Sequence, residues 1–354
     1  MMNPRHFLYA CVVGICFVTL TSCEHRVLSD PTKVHYVRVY LEEDIKNVNC
    51  GFYNETYEHP EFTRPLTMLA CLADPQTGEV LSEGILNNQG SDARGNYIHG
   101  YVGAPSGEYN LVIYQLGSPL TLIKYADDYY NMQAYTSSVS DRVLGYLEQT
   151  SKVIGDDPIV QEPDHILVAR CDDVHISQSV KVDTLKTADG DFFTARSIAK
   201  SYYLQLRITG VEWVRSTAAV LSGLSGSSLL CKEEGMIETD PVNLYFSMMY
   251  GGSKKRSSGG GEGSEEVLYT TFTTFGKIPD LTSELTLNFE FAKSDGSSQI
   301  EAIDITEVFK TPLAIENQWL LLDKEISITK PIGGSGGMDP GVDGWKEEEA
   351  DLPM

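Results

Sequence analysis

The chain has 354 residues and a formal net charge of −23 at pH 7, from 27 lysines and arginines against 50 aspartates and glutamates. A field of that sign repels nucleic acid and anionic lipid surfaces, so we predict no nucleic-acid partner. Hydrophobic residues make up 42% of the chain and charged residues 22%, which is typical of a globular protein, and the length suggests two domains.

The N-terminus has the layout of a secretory signal peptide. Arg5 and His6 precede an apolar run over residues 7–20. That run is shorter than the ~20 apolar residues that a helix needs to span a bilayer. We therefore predict that residues 1–22 form a signal peptide that is removed from the mature protein.

Cys23 follows this segment, and Leu20 and Ser22 before it resemble the lipobox of bacterial lipoproteins. That resemblance implies cleavage before Cys23 and attachment of acyl chains such as palmitate to its thiol and new amino group. Each buried CH₂ contributes ~0.8 kcal/mol, so several chains together hold a protein on a membrane. Residues 23–33 would then be the lipidated cysteine and a polar spacer. The alternative is an ordinary cleaved signal with an incidental cysteine.

Period-two alternation predicts a strand over residues 33–41, where Val34, Tyr36, Arg38 and Tyr40 share one face. Further strands of the first half, separated by turns rich in glycine, proline and asparagine, are predicted at residues 65–73, 78–81, 97–102, 108–116, 120–124 and 165–171. One helix is predicted over residues 139–153.

The second half shows the same pattern of short predicted strands. Strands are predicted at residues 179–185, 198–209, 241–250, 267–275, 284–291, 300–308 and 319–329. Residues 284–291 alternate between two sets, which predicts one buried and one solvated face. The buried set is Leu285, Leu287, Phe289 and Phe291, and the solvated set is Glu284, Thr286, Asn288 and Glu290. Residues 251–266 are glycine-rich without an apolar residue, which predicts a mobile loop.

Many short strands with few helices predict an all-β protein of two β-sandwiches. The first is expected over residues 34–171 and the second over residues 172–330. A flexible, glycine-rich acidic tail is expected over residues 331–354. Parallel α/β architecture is disfavoured, because helices do not alternate with the strands.

Four cysteines remain beyond Cys23, and these are Cys50, Cys71, Cys171 and Cys231. Four cysteines allow three pairings, among which the sequence does not choose. A disulfide such as Cys50–Cys71 suits an exported protein. The alternative is that the cysteines are small buried hydrophobes, which the apolar surroundings of Cys71 and Cys231 favour.

The sequence lacks the spacing patterns of common catalytic and phosphate-binding motifs, and its histidines are scattered. We therefore predict no enzymatic activity, no cofactor and no metal. The pairs Asp172–Asp173 and Asp189–Asp191 offer too few carboxylates for calcium, so they are interpreted as turn residues.

A tyrosine-rich segment over residues 125–135 is the best candidate for a binding patch. Its candidate contact residues are Tyr125, Asp127, Asp128, Tyr129, Tyr130 and Tyr135. Sugars stack on aromatic rings framed by polar groups, and tyrosine is also enriched in protein contacts. The alternative is a loop that tucks its tyrosines, half buried, against the sandwich.

Two segments carry a family resemblance. Residues 102–114 (VGAPSGEYNLVIY) resemble a turn and aromatic strand of transthyretin-like sandwich domains, and residues 211–231 resemble the second-domain signature of fimbrillin-associated anchor lipoproteins. These are surface proteins of gut and oral anaerobes. The acidic end of the chain is also similar to lipoproteins of that superfamily.

The resemblance implies two tandem transthyretin-like Greek-key β-sandwiches held at the outer membrane, at the cell surface, by the N-terminal lipid. It implies a cell-adhesion role, as a fimbrial anchor or accessory subunit whose partners are fimbrial subunits joined by strand pairing. Residues 331–354 lack the alternation of a donor strand. Residues 319–329 alternate better but are interpreted as an ordinary core strand. The alternatives are a lipoprotein that binds surface glycans through residues 125–135, and a secreted hydrolase.

Overall fold

The computed structural model describes residues 33–42, 48–50, 55–57, 64–147, 150–152, 154–177, 182–233, 235, 241–255, 264–278 and 285–331. The predicted signal peptide, Cys23 and nearly all of the predicted tail lie outside these residues. So does the side chain of Cys50. No helix in the described part of the chain is long and apolar enough to cross a bilayer.

The described chain is almost entirely β-structure. Its strands are β1 (Lys33–Leu41), β2 (Val48–Cys50), β3 (Glu55–Tyr57), β4 (Met68–Ala73), β5 (Val80–Asp92), β6 (Gly95–Ala104), β7 (Gly107–Gln115), β8 (Thr121–Lys124), β9 (Gln133–Thr136), β10 (Ile159–Val160), β11 (Leu167–Ile176), β12 (Phe193–Ser197), β13 (Lys200–Thr209), β14 (Val214–Ser225), β15 (Ser227–Leu229), β16 (Pro241–Ser247), β17 (Met249–Lys255), β18 (Ser264–Thr274), β19 (Thr286–Lys293), β20 (Ser298–Asp304) and β21 (Trp319–Ser327). The helices are α1 (Asp141–Tyr146) and α2 (Pro312–Asn317), with 3₁₀ turns at Thr150–Lys152, Val211–Trp213 and Val308–Lys310. The all-β prediction is confirmed.

The first half is a seven-stranded sheet that closes on itself, in the order β1–β12–β11–β7–β4–β5–β6. Strand β1 closes it, because β1 pairs antiparallel with β6 on one side and parallel with β12 on the other. A β-sandwich was expected here, and pairing on both sides of β1 joins its strands into one closed sheet without free edges. The interior is filled by Val37, Leu72, Ile98, Leu111 and Phe193, among others.

The second half is a sandwich of two sheets. One has the order β10–β16–β14–β19–β20 and the other β17–β18–β13–β21. Residues of both sheets share one core, in which the rings of Phe246 and Phe272 stack 4.5 Å apart. Trp319 and Leu320 of β21 are buried, so residues 319–329 form an ordinary core strand of this chain, as predicted.

A small third sheet, in the order β15–β9–β8, joins the two halves. It covers one outer side of the closed sheet, where Val112 and Tyr114 pack in a cluster with Met132, Leu230 and Phe275. The closed sheet is therefore buried on both of its faces in this region.

The chain between the halves crosses over the sandwich. Strand β10 pairs with β16, and the 3₁₀ turn Thr150–Lys152 lies against β19. The four predicted core residues of residues 284–291 are fully buried, as expected. However, Asn288 and Glu290, expected in water, are also only 6% and 4% exposed. The crossing chain covers Glu290, whose carboxylate accepts hydrogen bonds from Thr150.

Several predicted elements differ from the structure, including the following three. The helix expected over residues 139–153 is limited to α1 and the 3₁₀ turn. The loop expected over residues 251–266 is in part a hairpin, since β17 and β18 pair as far as Lys255 and Ser264. Of residues 179–185, the described part has one bridge, between Tyr36 and Thr184.

The predicted boundary between residues 171 and 172 lies within β11, which continues to Ile176. Strand β12 also belongs to the closed sheet, so the sheet pairing changes between β12 and β13. The division into two domains stays a prediction.

Candidate interaction surfaces

Tyr129, a predicted contact residue, is part of the core. Its side chain is 2% exposed, and its hydroxyl donates a hydrogen bond to Asp172 Oδ1 at 2.6 Å. Burial, followed by the hydrogen bond to Asp172, raises the pKa of this phenol. Tyr129 thus fastens the 125–135 segment to the closed sheet.

The neighbouring residues form a tight turn. Asp128 Oδ1 accepts hydrogen bonds from the backbone N–H groups of Tyr130 and Asn131, at 3.0 and 3.3 Å. The Tyr130 hydroxyl donates to the carbonyl of Pro75 at 2.6 Å. Many polar groups of this segment therefore form hydrogen bonds within the protein.

The exposed part of the segment is smaller than expected. Tyr125 and Tyr130 are 57% and 43% exposed, and Asp127 is also exposed. Tyr135 is half buried, and the Lys124 amine lies 5.3 Å from its ring centroid. The contact role of residues 125–135 stays a prediction.

The described cysteines Cys71, Cys171 and Cys231 are free thiols. Cys71 is fully buried, and burial raises its pKa to about 12. It therefore behaves as the small buried hydrophobe that the apolar surroundings indicated.

A second surface, here called the aromatic face, covers the outer side of β1, β5 and β6. It consists of Val34, Tyr36, Arg38, Tyr40, Leu81, Ile85, Tyr97, His99, Tyr101 and Phe192. Its rings meet edge to face, with centroids 5.7 Å apart for Tyr36 and Tyr101 and 5.6 Å for Tyr40 and Tyr97. Such contacts hold flat side chains in fixed positions.

Arg38 organises this face. Its guanidinium carbon lies 4.2 Å from the centroid of the Tyr97 ring and 4.8 Å from that of Phe192. Its Nη1 donates to Asp92 Oδ2 at 3.3 Å, and the Tyr40 hydroxyl donates to the same oxygen at 2.7 Å. The hydrogen bond from Tyr40 lowers the pKa of Asp92, so this carboxylate stays charged.

The aromatic face is open to solvent. The outer surface around Val112 and Tyr114, on another part of the closed sheet, is covered by the third sheet. Val34, Leu81, Ile85 and Tyr101 are 50 to 57% exposed. Exposed apolar groups together with tyrosine and arginine are typical of protein contact surfaces. The sequence indicated part of this face, because the alternation over residues 33–41 placed Tyr36, Arg38 and Tyr40 on one side of the predicted strand.

Strand edges are the other surface that a partner chain can use. Edge strand β17 shows a register shift beside Gly252 and ends in Lys254 and Lys255. Edge strand β21 has the consecutive charges Asp323, Lys324 and Glu325. Lysines and bulges discourage strand addition, so β20, which carries Glu301 and Asp304 but neither a lysine nor a register shift, is the least protected long edge of the sandwich.

No reactive centre is evident among the described residues. They hold no cluster of three metal-ligating side chains. His165 contacts Ser197 Oγ at 2.9 Å and Ser201 Oγ at 2.6 Å, but Ser201 is only 5% exposed. This network links β12 and β13 with the crossing chain.

Comparisons with known proteins agree with this description. A family described as "Domain of unknown function (DUF5119)" matches residues 87–247. A relative in Bacteroides ovatus, named "Putative fimbrium anchoring subunit Fim4B", is 26% identical over 291 residues, which is 72% of this chain and 78% of the relative. This chain is therefore similar to a protein named as a putative fimbrium anchoring subunit. The relationship expected from the resemblance is confirmed.

One solved structure shows the same fold, and a second is similar in part. The crystal structure of a protein described as a "putative adhesin" of Bacteroides ovatus has a TM-score of 0.56 and 21% identity, covering 89% of this chain and 99% of that one. The fimbrial anchor protein Mfa2 of Porphyromonas gingivalis has a TM-score of 0.46 and 11% identity, covering 83% and 91%.

Proposed function

We propose that this protein is a lipid-anchored cell-adhesion protein of the outer membrane, acting as an anchor or accessory subunit that joins a fimbria to the membrane. The observation that carries the proposal is the similarity to Fim4B, which extends over 72% of this chain. The all-β fold agrees with this proposal, because fimbrial subunits of this type are expected to join by adding a strand of one subunit to a β-sheet of another.

Membrane attachment is assigned to Cys23. The spacer leads directly into β1 at Lys33. Ten extended residues span at most ~36 Å, so the closed sheet would lie close to the membrane. The −23 charge disfavours direct binding to anionic lipid, which leaves the acyl chains as the tether.

Fimbrial contact is assigned to the edge of β20, with the aromatic face as a second contact surface. A strand from a fimbrial subunit would add to β20, and its main-chain hydrogen bonds would provide affinity. Proline blocks such pairing where it replaces a residue whose backbone N–H faces the partner. Ile300→Pro and Glu301→Pro test the two alternating phases of the strand.

Deletion of the gene tests the function as a whole. We expect fimbriae to be shed into the medium or to change in length, and expression of the intact chain to restore them. Fimbriae that remain attached and of normal length in the deletion strain would contradict the anchor role. When the two proline variants are expressed in the deletion strain, we expect one of them to fold but to fail to restore attachment of the fimbriae.

Binding of surface glycans stays the alternative, favoured by the exposure of Tyr125 and Tyr130. Retention of the protein on cell-surface polysaccharide, lost in Tyr125→Ala, would support it. Because Tyr129 is buried, its substitution is not a usable test.

A further inference from the structure

A cleft with a volume of about 800 Å³ lies where the closed sheet meets the sandwich. Its described cationic lining residues are Arg170, Arg196, Lys200, Lys232 and Lys277. They come from both halves and from the turn that follows β15. We call this the basic cleft.

Its charge is opposite to that of the whole protein. Among the described residues, five cationic side chains line it against the two carboxylates Glu42 and Glu233, while the chain as a whole has a net charge of −23. One carboxylate is already engaged, because Arg196 Nε donates to Glu42 Oε2 at 2.5 Å. A local positive potential in an acidic protein attracts anions.

Arg170 lies in the wall of this cleft with an unmet hydrogen bond. Its Nη1 atom is buried and has no hydrogen-bond partner among the described residues. Burial lowers the pKa of Arg170, while nearby Glu233 opposes that shift. A buried guanidinium nitrogen without an acceptor costs free energy, and an entering carboxylate would satisfy it.

We propose that the basic cleft binds an acidic peptide segment, with the Arg170 guanidinium donating hydrogen bonds to one carboxylate and with Lys232 and Lys277, which line the same cleft, adding positive charge. The volume is large for a simple inorganic anion, and Ile198, Tyr202 and Phe275 offer apolar surface to neighbouring side chains of a peptide. Arginine clusters recognise acidic motifs in this way. The proposal is independent of the fimbrial role.

A suitable probe is present in the chain itself. Residues 343–354 have the sequence DGWKEEEADLPM, in which three glutamates are consecutive. A fluorescent peptide of this sequence, and a second in which its acidic residues are replaced by amides, differ only in charge. The receptor is the full chain with Glu347, Glu348 and Glu349 changed to glutamine and Asp351→Asn, so that its own segment does not compete.

Fluorescence anisotropy then measures binding. We expect saturable binding of the acidic peptide that weakens at least tenfold as salt rises from about 50 to about 500 mM, because the contacts are ionic. Lys232→Glu with Lys277→Glu should weaken binding at least tenfold. The matched control Lys324→Glu, on exposed β21, should stay within about twofold.

Three results would overturn the proposal. The first is equal binding of the amide peptide, and the second is equal loss of binding in Lys324→Glu. The third is competition in which inorganic phosphate binds as tightly as the peptide, which would mean a site for small anions only. If the double glutamate variant loses its thermal unfolding transition, Lys232→Gln with Lys277→Gln replaces it, and unchanged binding in that variant also rejects the proposal.

Discussion

The carboxylate of Glu290 accepts two hydrogen bonds from Thr150, from the backbone N–H at 2.9 Å and from the hydroxyl at 2.8 Å. Thr150 is fully buried and Glu290 is 4% exposed. The pair fastens the crossing chain over the outer face of β19. A carboxyl group buried there needs hydrogen-bond donors, because an unpaired buried polar group is costly.

Replacing Thr150 by valine keeps the shape of the side chain and removes the hydroxyl donor. We expect the free energy of unfolding to fall by about 1–3 kcal/mol, since a hydrogen bond to a buried charge is lost. Urea denaturation measures it. Thr194→Val, at a half-buried position of β12, is the matched control and should stay within about 0.5 kcal/mol of the parent. Equal stability of both variants would show that the hydroxyl is unimportant.

Glu162 should make stability depend on pH. Its carboxylate accepts a hydrogen bond from the Thr273 N–H at 2.7 Å, but burial dominates and raises its pKa from 4.5 to about 7. Between these values the folded chain binds a proton that the unfolded chain does not. Stability from this group is therefore present at low pH and falls as pH rises from about 4.5 to about 7.

We expect Glu162→Gln to remove this slope while keeping the acceptor for Thr273. The difference between parent and variant in unfolding free energy, measured across that pH window, isolates Glu162 from other titrating groups. It should change by about 2–3 kcal/mol in total. Parallel pH profiles for the two proteins would contradict the prediction.

Gly100 permits β5 and β6 to approach closely. A Cβ added there would lie 2.5 Å from the carbonyl oxygen of Ile85, so the backbone would have to shift. We expect Gly100→Ala to destabilise the protein by about 1–3 kcal/mol. Gly145→Ala is the control, because a Cβ in α1 meets no atom within 4 Å and should stabilise by about 0.5–1 kcal/mol. The thermal unfolding temperatures of the two variants and the parent test this prediction.

The lipid anchor is tested by exporting Cys23→Ala behind a conventional signal peptide. The protein should leave the membrane fraction and remain folded, because the acyl chains are the only tether proposed. Cys171→Ala, which leaves Cys23 in place, should stay with the membrane. Sedimentation of the Cys23→Ala protein with membranes in detergent-free buffer would reveal another attachment.

The aromatic face is tested by Ile85→Ser combined with Tyr101→Ser. Both side chains are more than half exposed, so we expect a change in unfolding free energy of less than about 1 kcal/mol. Co-purification of fimbrial subunits after mild cross-linking on cells should fall several-fold. The matched control is Leu122→Ser, which removes an exposed leucine of β8 outside this face. Equal recovery of subunits with all three proteins would exclude the face as a contact.

The sequence was most informative where alternation is local. It predicted β1 with its observed bounds and the buried set that includes Leu287 and Phe289. It failed where distant segments meet. Burial of Glu290 depends on Thr150, and the buried position of Tyr129 depends on Asp172. Neither partner is recognisable from a neighbouring stretch of sequence.

The same dependence on distant segments explains why the two surfaces could not be fully predicted from the sequence. The aromatic face needs the register that places Tyr36 opposite Tyr101. The basic cleft needs Arg170 and Lys277, which are far apart along the chain. The cluster at residues 125–135 was conspicuous because it is contiguous, yet much of it serves the fold.

The parallel pairing of β1 with β12 has a consequence for biogenesis. Val39 lies opposite Phe193, so the first strand to be synthesised waits for a segment made much later. Contacts of such long range slow folding, and an unpaired strand edge can capture a neighbouring chain meanwhile. A chaperone that shields the nascent N-terminal segment should therefore raise the yield of native protein more than one acting on the C-terminal strands.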